Sequence, residues 1–372
     1  MRLLPALFTC VLSLFIAGCG GSNSPTAALA GNGKVGHVFI IVLENKSYAK
    51  SFPASGAPPA PYLAQTLPAM GAMLTQYHAT GHVSLDNYIT MVGGQAPNLQ
   101  TSSDCQFFTD WVGTTTPDGN GQVTGTGCVY PAAIKTVANQ LQDSGRSWKG
   151  YMEDMGINVA RDGSATCAHP ALNTQDPTQS ASATDLYATR HNPFMYFHSI
   201  INDQANCDAR VVPLTALTAD LASVATTPNY SFITPNLCND GHDTGCANGD
   251  PGGLTSINTF LTHWVPLIVN SPAFQQDGLL IVTFDEASPS DGGSCCNEPS
   301  GPNSAAPGVS GAGGGRVGAV LLSPFIKPGT VSDVPYNHYS LLRSVEDIFA
   351  VPHLGYAGQD GLAPFGSDIF NR

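Results

Sequence analysis

The stretch HVFIIVLENKSY (residues 37–48) contains an uninterrupted apolar run that ends in a carboxylate and an amide. The run from Val38 to Leu43 predicts a strand that is buried on both faces, because the strands of parallel sheets are almost continuously apolar. Glu44 and Asn45 follow it directly. Either they begin an ordinary turn, or they place ligands at the carboxyl end of the strand, where open α/β sheets bind them.

Further along the chain, predicted strands alternate with predicted helices. Strand-like runs occur at residues 147–155, 229–236, 278–286 and 316–326, and helical spacing occurs at residues 84–94, 132–145, 255–271 and 337–351. This alternation predicts an α/β fold with a mainly parallel central sheet and helices on both faces.

The composition limits the possible partners. The 372-residue chain is 42% hydrophobic, which allows a large core, but only 11% charged, and its 40 glycines and 28 prolines indicate many loops. The net charge of −13 argues against nucleic acid as a partner, because binding a phosphate backbone requires Lys and Arg. A small anionic substrate remains compatible, since a bound cation can invert the local field. The sequence leaves the oligomeric state open.

The N-terminus has the features of a targeting segment. Residues 1–18 form a predicted signal peptide, and IAGC (residues 16–19) resembles the bacterial lipobox, in which Cys19 would be lipidated. The alternative is a plain secretory signal with an incidental cysteine. We expect residues 19–35 to be a flexible tether and residues 36–372 a single domain. The predicted location is a periplasmic or cell-surface lipoprotein, on the outer membrane of a Gram-negative cell, or otherwise a secreted protein.

The cysteines favour disulfides in an oxidising compartment. Of the ten cysteines, Cys10 lies in the predicted signal peptide and Cys19 in the lipobox, and eight remain. The adjacent Cys295 and Cys296 form either a vicinal disulfide or part of a metal site. For the others we expect local pairing: Cys105 with Cys128, Cys167 with Cys207, and Cys238 with Cys246.

Two predicted strands end in acids, Glu44 at one and Asp285 with Glu286 at the other. The carboxyl ends of parallel strands lie at the same edge of a sheet, and three carboxylates there repel each other unless a cation binds between them. The alternative is that they are separate loop acids on a solvated rim. Oxygen-rich ligands would favour a hard divalent ion such as Ca²⁺ or Mg²⁺ over zinc.

Ser84 is the candidate nucleophile. It opens the predicted helix in GHVSLDNYITMVGG (residues 81–94), where free N–H groups and the positive helix end can hold a phosphate. A metal nearby would make its hydroxyl easier to deprotonate. The alternative is an ordinary N-cap serine. No GxSxG motif is present, so an α/β-hydrolase esterase is not supported.

Six motifs occur along the chain in the following order: HVFIIVLENKSY, GHVSLDNYITMVGG, HNPFMYF, FITPNLCNDGHD, LLIVTFDE and GAVLLSPFIKPGTVSDVPYNHYSLLRSVEDIF. Together they resemble the bacterial phosphoesterase family. That family includes acid phosphatases and phosphatidylcholine-type phospholipases C and belongs to the alkaline-phosphatase superfamily. The resemblance runs from about His37 to Tyr356 and implies an alkaline-phosphatase-like fold. It also implies one metal ion, bound by Glu44, Asn45, Ser84, Asp285 and Glu286.

The sequence departs from the family pattern at two positions. Asp86 stands where many members have proline, which adds a charge near Ser84 and makes Thr80 the alternative nucleophile. Glu286 stands where an aspartate is expected, which leaves the ligand set looser and the metal identity less certain.

Several histidines are candidates for the site. His191 and His242 match family positions that line the phosphate pocket, and either can donate a proton to the leaving oxygen; otherwise they are loop histidines bonded to backbone. His78 and His82 precede Ser84, and one of them can face the pocket. For the last predicted helix we expect Asn337 as the cap and His338 exposed. The remaining candidates, for binding substrate or orienting the histidines, are Asn45, Asn87, Asn236 and Asp240.

The sequence therefore predicts an exported, lipid-anchored, metal-dependent phosphoesterase that forms a covalent phosphoserine on Ser84. Two alternatives stay open: a phospholipase C-type phosphodiesterase, and a non-catalytic surface binding protein on the same fold. We expect the loops at residues 156–190 and 287–315 to build the mouth of the pocket and so to decide between monoester and diester substrates.

Overall fold

The computed structural model describes residues 34–372. The predicted signal peptide, the lipobox with Cys19 and nearly all of the predicted tether lie outside the described residues. Within residues 34–372, no helix is both long enough and apolar enough to cross a bilayer.

Twelve strands occur in the described part of the chain. They are β1 (His37–Leu43), β2 (Ala72–Leu74), β3 (Tyr77–His78), β4 (Val112–Gly113), β5 (Gly125–Thr126), β6 (Trp148–Met152), β7 (Val211–Pro213), β8 (Tyr230–Thr234), β9 (Gly278–Phe284), β10 (Ala319–Leu322), β11 (Thr330–Ser332) and β12 (Tyr336–Asn337).

The α-helices of the described part vary widely in length. They are α1 (Tyr48–Ser51), α2 (Leu67–Met70), α3 (Ser84–Gly93), α4 (Val137–Asp143), α5 (Val159–Asp162), α6 (His198–Ile201), α7 (Gln204–Arg210), α8 (Leu217–Asp220), α9 (Gly253–Val269), α10 (Pro272–Asp277) and α11 (His338–Phe349).

Eight strands form one sheet in the order β11-β2-β10-β9-β1-β8-β6-β7. In this sheet only β10 runs antiparallel to its neighbours. Every residue of β1 and β9 is buried, so both faces of the sheet are covered. Helices α9 and α10 pack against β9, and α3 packs against α11. The predicted α/β fold with a mainly parallel sheet flanked by helices is confirmed.

Helix α3 has the bounds that the sequence predicts. It begins at Ser84 and ends where Gly94 adopts a left-handed conformation with φ 64°, and the Gly94 amide bonds to the carbonyl of Thr90. A Cβ at Gly94 would lie 2.2 Å from the backbone oxygen of Leu354. Glycine is therefore required at this helix end, both for its conformation and for the close backbone approach.

The disulfides follow the expected local pairing. Three bonds join residues that are near in sequence, and a fourth joins the neighbours Cys295 and Cys296 as a vicinal disulfide. The three local bonds are Cys105–Cys128, Cys167–Cys207 and Cys238–Cys246.

The segment at residues 287–315 contains no helix or strand, but hydrogen bonds attach it to the rest of the molecule. Asn303 Nδ2 donates to the carbonyl of Val123 at 2.8 Å. Asn337 Nδ2 donates to Glu298 Oε1 at 2.8 Å, whereas Glu298 Oε2 is buried and has no hydrogen-bond partner in residues 34–372. Burial raises the pKa of Glu298 from 4.5 to about 8.

This buried acid predicts a pH dependence of stability. The folded protein retains a proton on Glu298 that the unfolded chain releases above its ordinary pKa. Glu298 therefore favours the folded state fully below pH 4.5, and this contribution is lost as the pH rises toward 8. We expect Glu298→Gln to lose less stability than wild type between pH 5 and pH 8.5, by up to about 5 kcal/mol, because a rise of the pKa from 4.5 to about 8 is worth about 1.4 kcal/mol per pH unit.

Urea unfolding from pH 5 to pH 9 measures this difference. Asp360→Asn, which neutralises an exposed carboxylate, is the control and should follow wild type. Equal pH profiles for wild type and Glu298→Gln would contradict the expected proton uptake.

Candidate functional site

The carboxyl ends of β1 and β9 bring two acids together. Leu43 and Phe284 are partners in the parallel register, so the residues that follow, Glu44 and Asp285, lie side by side. The backbone N–H of Asn45 donates to Asp285 Oδ1 at 2.9 Å. Glu44 and Asp285 are both fully buried.

Asn45 turns the chain away from the sheet. It adopts a left-handed conformation with φ 58°, which asparagine tolerates better than most residues. Its Nδ2 donates to Glu44 Oε2 at 2.9 Å. Lys46 then donates from Nζ to the carbonyls of Glu44 at 3.3 Å and Gly241 at 2.7 Å, which ties this turn to the loop that follows β8.

Ser84 directs its hydroxyl at Glu44. Its Oγ donates to Glu44 Oε2 at 2.9 Å, and the residue is only 2% exposed. Val83, rather than Ser84, is the N-cap residue of α3, and no side chain caps this helix end. The interpretation of Ser84 as an ordinary N-cap serine is therefore wrong.

Tyr88 contacts the same carboxylate from one turn further along α3. Its hydroxyl donates to Glu44 Oε1 at 2.7 Å, and its ring stacks on His191 with centroids 5.3 Å apart. Residues four apart share one face of a helix. From the sequence, Tyr88 was interpreted only as an apolar position of the helix. Its spacing of four residues from Ser84 could have indicated that both hydroxyls lie on the same face.

His191 lies between two carboxylates. Its Nε2 is 3.3 Å from Glu44 Oε1 and its Nδ1 is 3.1 Å from Asp240 Oδ2. All three residues are buried, and one donor atom from each lies within 4.8 Å of the others. Asp240 Oδ1 also accepts a hydrogen bond from the backbone of His242 at 2.7 Å.

The electrostatics of this cluster favour a cation. Burial, followed by repulsion from Asp285 and Asp240, raises the pKa of Glu44 well above its ordinary value. Burial and the neighbouring Glu286 raise the pKa of Asp285 to about 7. Burial and the nearby Arg190 lower the pKa of His191 well below its usual range.

Two atoms of the cluster that can bind a metal ion also lack hydrogen-bond partners. Asp285 Oδ2 and His191 Nε2 are buried and make no hydrogen bond with any residue that the structure describes. Carboxylate oxygens with one neutral imidazole are ligands that divalent metals accept. The residues present therefore fit a metal ion.

Glu286, which follows Asp285, makes its hydrogen bonds outside the Glu44 cluster. Its carboxylate bonds to the ring of His82 and accepts the backbone N–H of Val83 at 3.2 Å. The bond to Glu286 raises the pKa of His82. His78, the other histidine before Ser84, bonds instead to the carbonyl of Gln76 at 3.1 Å.

Asn87 holds the turn that precedes Ser84. Its Oδ1 accepts hydrogen bonds from the backbone N–H groups of Thr80 and Gly81, each at 3.0 Å. The Thr80 hydroxyl is 3.1 Å from the same oxygen and 3.3 Å from Thr90 Oγ1, so it faces α3. Val83 completes the turn with φ 71°, a conformation that is strained for a β-branched residue.

Asp86, the unexpected acid near Ser84, is fully buried, and neither carboxyl oxygen has a partner in the described residues. A Cβ on Gly81 would lie 2.5 Å from Asp86 Oδ2, so the carboxyl packs directly on that glycine. Burial and the nearby Glu286 raise the pKa of Asp86 well above its ordinary value. Asp86 therefore favours its neutral form.

Asn236 shapes the loop that carries Asp240. In the described structure its side-chain Nδ2 donates to Asp154 Oδ2 at 2.9 Å, and its Oδ1 accepts the backbone N–H groups of Cys238 and Asn239. These contacts position the loop after β8 and do not include the Glu44 cluster.

His242 is the more accessible of the two candidate histidines in this loop region, with a side chain 32% exposed. Its Nδ1 lies 2.8 Å from Asp243 Oδ1, and its Nε2 lies 3.2 Å from Nη2 of Arg190. The rings of His191 and His242 are 5.8 Å apart.

His338 is fully buried, so the expectation of an exposed His338 is wrong. Its Nε2 lies 2.6 Å from the carbonyl of Asp285, and its Nδ1 lies 3.0 Å from the Tyr77 hydroxyl. Burial lowers its pKa to about 4. Asn337 is the cap of α11, as expected, because its Oδ1 accepts the N–H of Ser340 at 2.9 Å. The neutral imidazole of His338 thus supports the edge of the sheet that carries Asp285.

Comparison with known proteins agrees with this fold. The chain matches the phosphoesterase family over residues 60–352, which is most of its length. It therefore belongs to the phosphoesterase family, and the predicted family membership is confirmed.

The curated relatives are phosphatases. The chain is 29% identical over 320 residues to a probable acid phosphatase of Kluyveromyces lactis, covering 85% of this chain and 59% of that protein. It is 25% identical over 292 residues to an acid phosphatase of Aspergillus fumigatus, covering 78% and 51%. It is 25% identical over 321 residues to a phosphatidylinositol-3-phosphatase of Mycobacterium tuberculosis, covering 86% and 79%. The chain thus spans little more than half the length of these fungal relatives.

A solved structure of a protein in the alkaline phosphatase superfamily from Vibrio parahaemolyticus has a similar fold. It superposes with a TM-score of 0.50 at 13% sequence identity, covering 91% of this chain and 73% of that one. At this identity the similarity supports the fold alone.

Proposed function

We propose that this protein is a metal-dependent, acid-phosphatase-like phosphoesterase that works through a covalent phosphoserine on Ser84. The observation that carries the proposal is the position of Ser84 at the start of α3. Its hydroxyl donates to Glu44 at 2.9 Å, and Glu44 belongs to a buried group of carboxylates and one imidazole. Membership of the phosphoesterase family supports the reaction class.

The residues that would hold the metal differ in part from those that the sequence resemblance implied. Glu44 and Asp285 stay in the proposed set, with Asn45 and Ser84 beside them, and the geometry favours adding His191 and Asp240. Glu286 is bonded to His82 and Val83 and is the weakest member of the set. A bound divalent ion would neutralise charge on the serine oxygen and on the phosphoryl group.

In the proposed reaction the Ser84 oxygen attacks phosphorus and the ester oxygen leaves. Glu44 Oε2 accepts the hydrogen bond of the serine hydroxyl and would take its proton as the bond from the serine oxygen to phosphorus forms and the ester bond breaks. Glu44 would return this proton to the serine oxygen when water displaces that oxygen from phosphorus. His242, which is partly exposed, would donate the proton to the leaving alcohol and later take one from the attacking water. His191 is buried between Glu44 and Asp240 and would act as a ligand or orienting residue.

The relatives' names favour monoesters as substrates. They describe acid phosphatases and a phosphatidylinositol-3-phosphatase, and we extend this preference to the present chain. A phospholipase C-type diesterase and a non-catalytic binding protein are the alternatives. Parallel assays with p-nitrophenyl phosphate, its bis ester and phosphatidylcholine separate the three, because a diesterase would prefer the last two and a binding protein would hydrolyse none.

We also propose that residues 1–18 are a lipoprotein signal peptide, that residues 19–35 form a tether and that residues 36–372 form a single domain. The lipobox-like IAGC sequence supports the first, and the single eight-stranded sheet supports the last. The tether would hold the enzyme close to a membrane through a lipid on Cys19.

The nucleophile can be tested by substitution. We expect Ser84→Ala to lower kcat by roughly 10²–10⁴-fold, because the attacking oxygen is removed. Stability should change by only about 1 kcal/mol, since a single hydrogen bond is lost. Thr80→Ala, the matched control, should keep most of its activity because the Thr80 hydroxyl faces α3. Mass spectrometry of acid-quenched enzyme should place the phosphate on the peptide with Ser84. A phosphate on Thr80 would show that Ser84 is not the nucleophile.

The metal site can be tested by chelation and elemental analysis. EDTA should abolish activity, and a divalent ion should restore it, with Ca²⁺ and Mg²⁺ favoured by the oxygen-rich ligands and Mn²⁺ or Zn²⁺ made compatible by His191. Asp240→Asn and Asp285→Asn should lose bound metal, whereas Glu286→Gln should retain it. Full activity in metal-free protein would exclude metal dependence. If only Glu286→Gln loses the metal, the ligand set implied by the family resemblance, which includes Glu286, is the correct one.

The lipid anchor can be tested by fractionation. In a bacterial host, Cys19→Ala should release the protein from the membrane fraction, because the acylated thiol is removed. Cys10→Ala is the control, since that residue lies within the predicted signal peptide. Soluble wild-type protein would show that the lipobox interpretation is wrong and would favour the plain secretory signal.

A further inference from the structure

Arg190 is a buried cation beside the candidate active site. It precedes His191 in the 3₁₀ turn Thr189–His191 and is only 2% exposed. His191 extends from this turn to Glu44, so the backbone that positions the buried imidazole also positions the guanidinium. A buried arginine normally has its donors fully paired, because the charge is costly to desolvate.

The donors of Arg190 are only partly paired. Nη1 donates to the carbonyl of Gln179 at 3.1 Å. Nη2 lies 3.2 Å from Nε2 of His242, and Nε lies 3.4 Å from Asp104 Oδ2. Nε is buried and makes no hydrogen bond within residues 34–372. The N–H groups of Nε and Nη2 form one edge of the planar guanidinium, the edge that binds carboxylates and phosphates through two parallel hydrogen bonds.

This edge lies next to the start of α3. Asp104, which faces Arg190 through Oδ2, accepts the backbone N–H of Leu85 through Oδ1 at 3.0 Å. Leu85 follows Ser84 directly. At the Nη2 end of the same edge the guanidinium meets His242, the proposed proton donor. The guanidinium edge therefore lies between the start of the helix that carries Ser84 and His242, the residue proposed to protonate the leaving group.

The charge of the site favours such a cation. Glu44, Asp240 and Asp285 are buried acids, so a phosphate dianion would enter a strongly negative environment. One divalent ion offsets only part of this charge. Lys46 is nearby, but its ammonium group already donates to two backbone carbonyls.

We propose that Arg190 binds the terminal oxygens of the substrate's phosphate and gives the site a preference for dianionic monoesters. This inference rests on the proposed phosphoesterase function. A monoester has three terminal oxygens and two negative charges, whereas a diester has two such oxygens and one charge. A bidentate guanidinium contact therefore stabilises the monoester more, both when it binds and when charge develops on its oxygens.

The test compares Arg190→Met and Arg190→Lys with the wild-type holoenzyme. Calorimetry gives the Kd for inorganic phosphate, and steady-state assays give kcat/KM for p-nitrophenyl phosphate and for its bis ester. We expect Arg190→Met to weaken phosphate binding about tenfold or more and to lower monoester kcat/KM by roughly 10²-fold, with a smaller loss for the diester. Arg190→Lys should recover part of the loss, because lysine supplies charge without the fork.

Arg343→Met is the matched control. Arg343 on α11 also has a buried Nε without a partner in the described residues, and its Nη1 donates to the carbonyls of Ala357 and Gln359. Its replacement should lower stability without changing phosphate affinity or the monoester-to-diester ratio.

Equal losses on both esters with unchanged phosphate affinity in Arg190→Met would overturn the proposal and leave Arg190 a structural residue. If Arg190→Met does not fold, the same ratio measured in Arg190→Lys decides. If the wild type hydrolyses neither ester, the proposed function fails, and the phosphate affinities alone then decide whether Arg190 binds phosphate.

Discussion

The crowding of buried carboxylates at one edge of the sheet is the constraint on which the rest of the site depends. Glu44, Asp240 and Asp285 come from three separate segments, and all are removed from water. Ionised together, they would destabilise the fold by repulsion in a medium that screens poorly. The protein can accommodate them by protonation or by binding a cation, and the raised pKa values of Glu44 and Asp285 express the same tension. A group of this kind is costly for stability, and its presence in a phosphoesterase fold is best explained by function.

Strand register and helix geometry together bring this group to Ser84, the proposed nucleophile. The pairing of β1 with β9 sets Glu44 beside Asp285. Helix α3 then directs two hydroxyls, from Ser84 and Tyr88, at the two oxygens of Glu44. Because both oxygens are occupied by donors of one rigid helix, the carboxylate has little freedom to rotate. The packed core thus fixes the orientation of the serine, together with the turn that precedes α3.

The sequence predicts the parts of this arrangement that follow from local patterns. Apolar runs that end in acids identify β1 and β9, and the glycine pair after Met91 identifies the end of α3. The direction of β10 could not be predicted, since an apolar run has the same pattern in either direction. The pairing of Glu286 with His82 and the burial of His338 depend on loop paths that no short motif encodes. Resemblance to a family identified His191 as a candidate, and Asp240 was expected to orient a histidine, but only the folded chain shows that both meet Glu44.

Val83 links the stability of the molecule to its chemistry. A valine held at φ 71° stores conformational energy at the residue that precedes Ser84, and the hydrogen bonds of Asn87 to the turn hold the valine in that conformation. Glycine would adopt this conformation without strain. Substitutions chosen only for thermal resistance would therefore tend to relax this turn, and with it the direction of the serine hydroxyl. Engineering of this protein for heat tolerance has to treat the turn before α3 as part of the proposed active site rather than as a connecting loop.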